Sequence, residues 1–548
     1  MQHAPPMSSD SNRKLIAGHW LRWDAARAAD AYARGLWVRE TLADALRRGA
    51  GETPQRVLLV DGEHRLDCRT LYVQASALAQ ALLRRAPTGS VVSFMLPNWY
   101  EAAVIYLAAT LAGMAVNPIL PSLRERELRF ILQDASSRLI FIPPAIKQFD
   151  YRAMLGRVVA DMTSAPEVVV VRGEAGTFTP YESMLQASPA PVTLPNVEPD
   201  AVRMILYTSG TTGRPKGVLH THNTLHALIA QIRTHWLIER GDKFLVPSPI
   251  AHIGGSIYAF ECTLLLGTTA VLMERWNAAE AVQLLDAEHC THMAGATPFL
   301  EQILAAARTQ NTHLPSLKVF ICGGASVPPS LVRTACEYFE RAVVTRVYGS
   351  TEVPVTTVGV TRREAAAFAA DTDGRAGIAD IELADHPGAR PGEGEVCVRG
   401  PQMLVGYLHA EDETNAFDAK GYFRTGDLGR WVDDRYLVIS GRAKDIIIRN
   451  GENISPKEIE DILIDHPQVA EIAIVGLPDA RTGERACAVI VPTQRPGPDV
   501  ASLRAFLDAR GVATFKVPEQ VVIADSLPRN DAGKVLKHQL RATLAANV

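Results

Sequence analysis

Short apolar, β-branched runs recur along the first two-thirds of the chain: Val57-Leu-Leu-Val60, Val91-Val-Ser-Phe94, Leu139-Ile-Phe-Ile142, Val168-Val-Val-Val171 and Val319-Phe-Ile-Cys322. Apolar at nearly every position, they have the pattern of strands buried on both faces. Segments rich in Ala and Leu separate many of them. In residues 70–83 and 278–289 the apolar positions fall three and four apart, the spacing of a helix that covers one face of a sheet. This alternation predicts α/β layers around largely parallel sheets.

From about Gly392 the texture changes. GEGEVCVRG, residues 406–427 and WVDDRYLVISGR give short strands joined by Gly and Asp turns, so a β-rich subdomain is expected there. After Gly441 the segment GRAKDIIIRNGENISPKEIEDIL opens a further unit. Ser455 is its expected N-cap, Pro456 takes the first helical position and Glu458 closes a capping box. Strand-like runs at 470–475, 486–491 and 520–523 complete a small α+β unit. The expected division is a flexible lead-in over residues 1–15, a large N-terminal domain over 16–443 and a C-terminal domain over 444–548.

Charge and cysteine usage narrow the function class. Lys plus Arg number 56 against 60 Asp plus Glu, a net charge of −4 that offers no basic footprint for nucleic acid or anionic lipid. Seven cysteines, Cys68, Cys262, Cys290, Cys322, Cys336, Cys397 and Cys487, stand at wide spacings with no CxxC pair, as buried thiols do in a reducing cytoplasm. The stretch 102–122 carries no charge, yet Gly113, Asn117, Pro118 and Pro121 interrupt it, so a buried helix followed by a turn is expected rather than a transmembrane segment. Residues 244–273 are also apolar, but His252, Glu261 and paired glycines assign them to core lining a cavity.

The chemistry concentrates in YTSGTTGRPKG, residues 207–217, directly after the strand-like 202–206. Glycines and hydroxyl side chains with one lysine equip a loop to hold phosphate oxygens, which points to ATP. It is not a Walker A loop: Pro215 precedes Lys216 where that motif has glycine, and Gly217 follows where it has Ser or Thr.

This loop resembles the phosphate loop of the adenylate-forming superfamily, which contains acyl-CoA synthetases, adenylation domains and beetle luciferases. The resemblance extends over most of the chain. It implies nucleotide contacts at Thr208, Ser209, Gly210, Thr212, Gly213 and Lys216, with Thr211 both catalytic and beside the metal. Tyr348-Gly349-Ser-Thr351-Glu352 is similar to the family's YGxTE, in which the threonine meets phosphate and the glutamate serves Mg2+. Gly323, Gly324 and Ala325 resemble the strip that lies against adenine. Phe423-Arg-Thr-Gly-Asp427 resembles [YF]RTGD, whose aspartate takes both ribose hydroxyls, and Gly441-Arg442-Ala-Lys444-Asp445 resembles GRxxD, with Arg442 on the ribose side and Lys444 at the hinge. Pro528-Arg-Asn-Asp-Ala-Gly-Lys534 is similar to PR[NT]xxGK, which makes Lys534 the catalytic lysine.

The resemblance implies an α/β enzyme with a small mobile C-terminal domain and two half-reactions. A carboxylic acid and Mg-ATP give an acyl-adenylate and pyrophosphate; coenzyme A then displaces AMP, with the face around Gly451 serving that step. Where amino-acid-activating members carry an aspartate, this chain has His252, so a substrate ammonium would lack its carboxylate. His252 is expected at the junction of acyl group and pantetheine. Ile253, Gly254, Gly255, Tyr258, Phe299 and Val353 are the expected pocket contacts, and they suit a hydrophobic monoacid. The region 97–155 looks most like medium-chain and cyclohexanecarboxylate-type CoA ligases. A stand-alone enzyme that loads a carrier protein and a catalytically silent nucleotide-binding homologue are the alternatives, and monomer and homodimer both fit the sequence.

Overall fold

The computed structural model describes residues 13–186, 192–208, 214–324, 327–362, 365–387, 389, 391–449, 452–479, 481–530 and 533–545. The chain divides into two compact units: Met1–Met293 with Ser350–Pro354 and Gly400–Thr414, and Ala294–Gly349 with Val355–Arg399 and Asn415–Val548.

In the first unit a seven-stranded sheet runs in the order Thr179–Pro180, Glu167–Val170, Ser137–Ile142, Val91–Phe94, Ala115–Pro118, Val202–Thr208 and Lys216–Thr221. The strands are parallel up to Val202–Thr208, and the last pair is an antiparallel hairpin whose connection carries the Gly/Thr loop. A second set pairs Lys243–Val246, Thr269–Leu272 and Val57–Asp61 in parallel, with His64–Asp67 antiparallel at the edge. The runs expected as buried strands are strands, and Val91–Phe94 is buried at all its positions.

Within 102–122 the expectation needs one correction. A helix, Tyr100–Leu111, is present, and every residue from Glu101 to Leu111 is buried, so it lies inside the unit rather than on one face. Beyond that helix the chain makes more than a turn, because Ala115–Pro118 is a fully buried strand. Such a strand has no alternating pattern to distinguish it from a helix end.

The helix of the predicted acyl region is continuous over Ile253–Ser256, Ile257–Glu261 and Cys262–Leu265, and its middle segment is π-helical. A π-turn spreads the side chains over more residues per turn and is frequent at functional sites.

The second unit contains the parallel pair Val319–Gly323 and Val343–Val347. The predicted β-rich region forms an antiparallel sheet of Asp380–Ala384, Gly394–Arg399, Phe423–Val432 and Tyr436–Arg442. A five-stranded sheet comes next, built on the long hairpin Val469–Asp479 and Gly483–Pro492. Strand alternation gives this hairpin two buried faces: Ile474, Ala486, Ala488 and Ile490 pack with the helices Pro456–Leu463 and Val500–Asp508, and Ala473, Val475, Leu477, Cys487 and Val489 pack with Leu540 of Lys537–Ala545. Ser455 caps Pro456–Leu463 by accepting from the Glu458 N–H, while the Glu458 carboxylate lies 2.8 Å from Lys516 Nζ.

Candidate active site

The register of one hairpin in the second unit creates the first cluster. Asp427 and Arg442 are directly opposed on Phe423–Val432 and Tyr436–Arg442, and Arg442 Nε lies 3.0 Å from Asp427 Oδ1. Tyr348 donates its hydroxyl proton to Asp427 Oδ2 at 2.7 Å. Burial and the Asp427 charge hold the Tyr348 phenol well above its ordinary range, so it stays a donor. Asp427 is buried, and each of its oxygens keeps a second acceptor position, the capacity that a vicinal diol requires. Gly426 supplies the turn before it with φ +69°, where a side chain would be strained.

Lys534 belongs to the same electrostatic group. Its backbone is fixed in a tight loop: the Lys534 N–H donates to Asn530 Oδ1 at 2.8 Å, and the Asn530 N–H donates to the Lys534 carbonyl at 2.9 Å. Burial and then Arg442 pull the Lys534 ammonium down to about 8, while Asp427 and Asp445 oppose them. Lys444 is exposed on the single turn Ala443–Asp445 that joins Tyr436–Arg442 to the strand Ile447–Arg449. Gly323 ends its strand where a Cβ would meet the Val347 carbonyl at 2.7 Å, and Gly324, at φ +80°, has open space where its side chain would be. Phe299 lies over Gly295, whose added Cβ would touch the ring at 3.0 Å.

In the first unit, the strand Lys216–Thr221 organises the second cluster. Residues 404–408 run beside it through backbone hydrogen bonds from Val405 to Leu219, Leu219 to Gly406 and Leu408 to Gly217. Glu352 accepts the Tyr407 hydroxyl on Oε1 at 3.2 Å, and its carbonyl accepts the Leu404 N–H. His220 Nε2 donates to the Thr351 carbonyl at 2.7 Å, and Nδ1 faces Thr224 Oγ1 at 3.2 Å. Burial pushes His220 down to about 4, so it is neutral and acts as a fixed spacer. Lys216 Nζ donates to the Asp412 carbonyl at 3.2 Å and lies 5.2 Å from the centre of the Tyr407 ring. Asp412 is buried and accepts from Arg214 at 3.0 Å. Tyr407, His220 and Asp412 are absent from the motifs, and no local pattern marks them because each acts on a residue far away in sequence.

His252 occupies the N-cap of Ile253–Ser256. Ile253 is partly exposed and Gly254 exposed, with nothing near a Cβ on Gly254, whereas a Cβ on Gly255 would meet the Pro249 carbonyl oxygen at 2.3 Å. Tyr258 is buried and stacks on Phe244 with centroids 5.0 Å apart, and Val353 is fully buried. Ser209, Gly210, Thr211, Thr212, Gly213, Ala325 and Gly451 lie outside the described residues; Thr208 ends its strand paired with Lys216.

The donor set at Glu352 fits a magnesium ion that arrives with phosphates. Among the described residues no group of three His, Cys, Asp or Glu could hold a metal by itself, and Glu352 is a partly exposed carboxylate engaged through one oxygen by Tyr407. Mg2+ is commonly held by one or two carboxylates together with substrate phosphates.

Residues 46–408 match the AMP-binding enzyme family, and residues 458–534 match the AMP-binding enzyme C-terminal domain. The chain belongs to the AMP-binding enzyme family. It is similar to the medium-chain fatty-acid–CoA ligase of Escherichia coli (strain K12), 33% identical over 548 residues that cover 97% of this chain and 94% of that one. The indoleacetate–CoA ligase of Aromatoleum aromaticum is 32% identical over 513 residues, covering 92% and 98%. Among solved structures, ATP-bound MatB from Rhodopseudomonas palustris superposes with a TM-score of 0.82 at 27% identity, over 92% of this chain and 99% of its own. The large α/β domain and small C-terminal domain are those of this family, and the protein is an AMP-forming acid–thiol ligase. No helix among the described residues is long and apolar enough to cross a membrane.

Proposed function

We propose that the protein is an ATP-dependent acyl-CoA ligase that converts a hydrophobic monocarboxylic acid, medium-chain, alicyclic or aryl, to its CoA thioester through an acyl-adenylate, with release of AMP and pyrophosphate. The observation that carries this reading is the grouping of Lys534 with Asp427, Arg442 and Tyr348. A family member that bound nucleotide without chemistry would need the ribose acceptor but not a desolvated lysine beside it.

In this reading Asp427 accepts the ribose hydroxyls, and Tyr348 and Arg442 hold its carboxylate in orientation. Gly323, Gly324 and Ala325 give adenine a face without side chains. Thr208 to Gly213 and Lys216 hold the phosphates; Lys216 then exchanges its Asp412 contact for phosphate oxygen. Glu352 and Thr211 would hold Mg2+, which when bound neutralises phosphate charge. Lys534 donates to the phosphate oxygens on which negative charge grows as the carboxylate attacks, an interaction strengthened by exclusion of water. Lys444 is the pivot for residues 444–548, so that Lys534 serves adenylation and the face around Gly451 serves attack by coenzyme A. His252 lies between the acyl group and pantetheine. Ile253, Gly254, Gly255, Tyr258, Phe299 and Val353 contact the acyl chain.

Purified protein supplied with ATP and hexanoate, octanoate, cyclohexanecarboxylate, benzoate or an amino acid, with and without coenzyme A, tests the reading. AMP formation with an apolar acid that requires coenzyme A is expected. Pyrophosphate release that ignores coenzyme A, or turnover of the amino acid alone, would overturn it.

A further inference from the structure

Two prolines leave the first unit short of backbone donors just before the helix that begins at Ile253. In Val246-Pro-Ser-Pro-Ile250, the segment that leads to His252, the N–H that a turn would offer to the Val246 carbonyl is missing at Pro249. Backbone carbonyls inside a protein still require partners. Asn98, 4% exposed and placed between the strand Val91–Phe94 and the helix Tyr100–Leu111, provides them. Its amide nitrogen donates to the Val246 and Ser248 carbonyls, each at 3.0 Å, and its Oδ1 accepts the Ile250 N–H at 3.0 Å. One side chain thus spends both of its donors and an acceptor on a single loop.

Both ends of this clamp are fixed. Beside Asn98, the Tyr100 N–H donates to Asp61 Oδ2 at 3.1 Å, and the Glu101 carboxylate accepts from Arg172 Nε and Nη2, both at 2.8 Å. Arg172 also reaches Asp61 at 2.7 Å and lies 4.3 Å from the centre of the Trp99 ring. On the far side, the Pro249 carbonyl accepts the His252 N–H at 3.0 Å, and the His252 carbonyl accepts the N–H groups of Gly255 and Ser256, both at 2.9 Å. Gly255 packs so closely on the Ser248 and Pro249 carbonyls that no Cβ fits. A shift of the loop is therefore passed to His252 and the first helical turn, because every link beyond Asn98 is backbone.

We propose that Asn98 is a positioning residue for the acyl site, setting the place of His252 and Ile253–Ser256 and through them the affinity for the carboxylic acid. It touches no reacting atom. The proposal rests on the ligase reading, in which His252, Ile253, Gly254 and Gly255 meet the acyl group. The proposed nucleotide contacts lie on other elements, so loss of the clamp acts on the acid and not on ATP. Asn223 is the comparison within the same unit. It too is buried, at 1%, and its Nδ2 donates to the Tyr32 hydroxyl and Asp200 Oδ1, both at 2.8 Å, while its Oδ1 accepts the Val38 N–H at 2.7 Å. Those bonds tie down the N-terminal segment rather than the approach to His252.

The test compares Asn98→Ala, Asn98→Ser and Asn223→Ala with the wild type in the full-length protein, using whichever of hexanoate, octanoate, cyclohexanecarboxylate and benzoate the wild type turns over best. Asn98→Ala is expected to raise KM for the acid roughly tenfold or more, while Kd for ATP, from titration calorimetry without acid, stays within about twofold of the wild type. Asn98→Ser, whose hydroxyl restores one bond, is expected to give a smaller rise in the same direction, and it carries the test where the alanine variant does not fold. Asn223→Ala is expected to lower the thermal midpoint and leave KM for the acid at its wild-type value. An acid KM that is unchanged in the Asn98 variants, or that rises equally in Asn223→Ala, overturns the positioning role and leaves the ligase reading standing. A parallel loss of ATP affinity in the Asn98 variants also overturns it, because the unit as a whole has then loosened. Wild-type protein that turns over none of the acids removes the ligase reading and the role of Asn98 together.

Discussion

Lys534 is proposed to serve adenylation as an ammonium, and burial together with the nearby Arg442 makes that form pH-sensitive. Because the ammonium titrates near 8, the cation is present below that pH and lost above it. The kcat/KM for acid-dependent pyrophosphate release is therefore expected to fall as pH rises through about 8, since kcat/KM reports the free enzyme. Lys534→Ala should abolish this step yet largely spare thioester formation from a supplied acyl-adenylate; equal loss in both steps would remove the role. Asp427→Ala should weaken ATP binding by on the order of 1.5 to 3 kcal/mol for each charge-assisted hydrogen bond lost. Titration calorimetry that finds unchanged ATP affinity would contradict the ribose assignment. Lys534, Asp427 and Glu352 are candidates that the sequence alone proposes, because each sits in a contiguous motif. The hold of Asn98 on residues 246–250 is not legible there, since Asn98 and Ser248 are 150 positions apart and meet only through tertiary packing.

Elements were legible where periodicity or turn chemistry is local. The alternating faces of Val469–Asp479 and Gly483–Pro492 follow from a period of two, and the N-cap at Ser455 from residue chemistry. The strand Ala115–Pro118 and the π-turn Ile257–Glu261 carry no such signal. Both lie in largely apolar stretches whose polar residues, Asn117 and Glu261, are buried as well, so no alternation of inward and outward positions remains. The same helix supplies a test of local packing. Gly255→Ala would drive a Cβ to 2.3 Å from the Pro249 carbonyl oxygen and 2.7 Å from that of Ser248. Backbone cannot rotate away as a side chain can, so a loss of about 1 to 3 kcal/mol is expected, as for overpacked cores. A lowered thermal midpoint checks it, and a Gly255→Ala protein that melts with the wild type would show that the turn relaxes freely.

At the scale of the whole molecule, the α/β layering was legible because buried parallel strands and their covering helices alternate in sequence, and membership of the AMP-binding enzyme family is borne out by matches over residues 46–408 and 458–534. The proposed division at Lys444 rests on the short turn between the four-stranded antiparallel sheet and the mixed five-stranded sheet rather than on any composition shift. Lys534, Asp427 and Glu352 are proposed to serve one reaction, attack of a carboxylate oxygen on the α-phosphate of ATP. That attack leaves a signature in the product. With an acid labelled with oxygen-18 in its carboxylate, mass spectrometry of the AMP formed in the complete reaction with coenzyme A should find one labelled oxygen on the phosphate. Unlabelled AMP alongside labelled thioester would contradict the adenylate route.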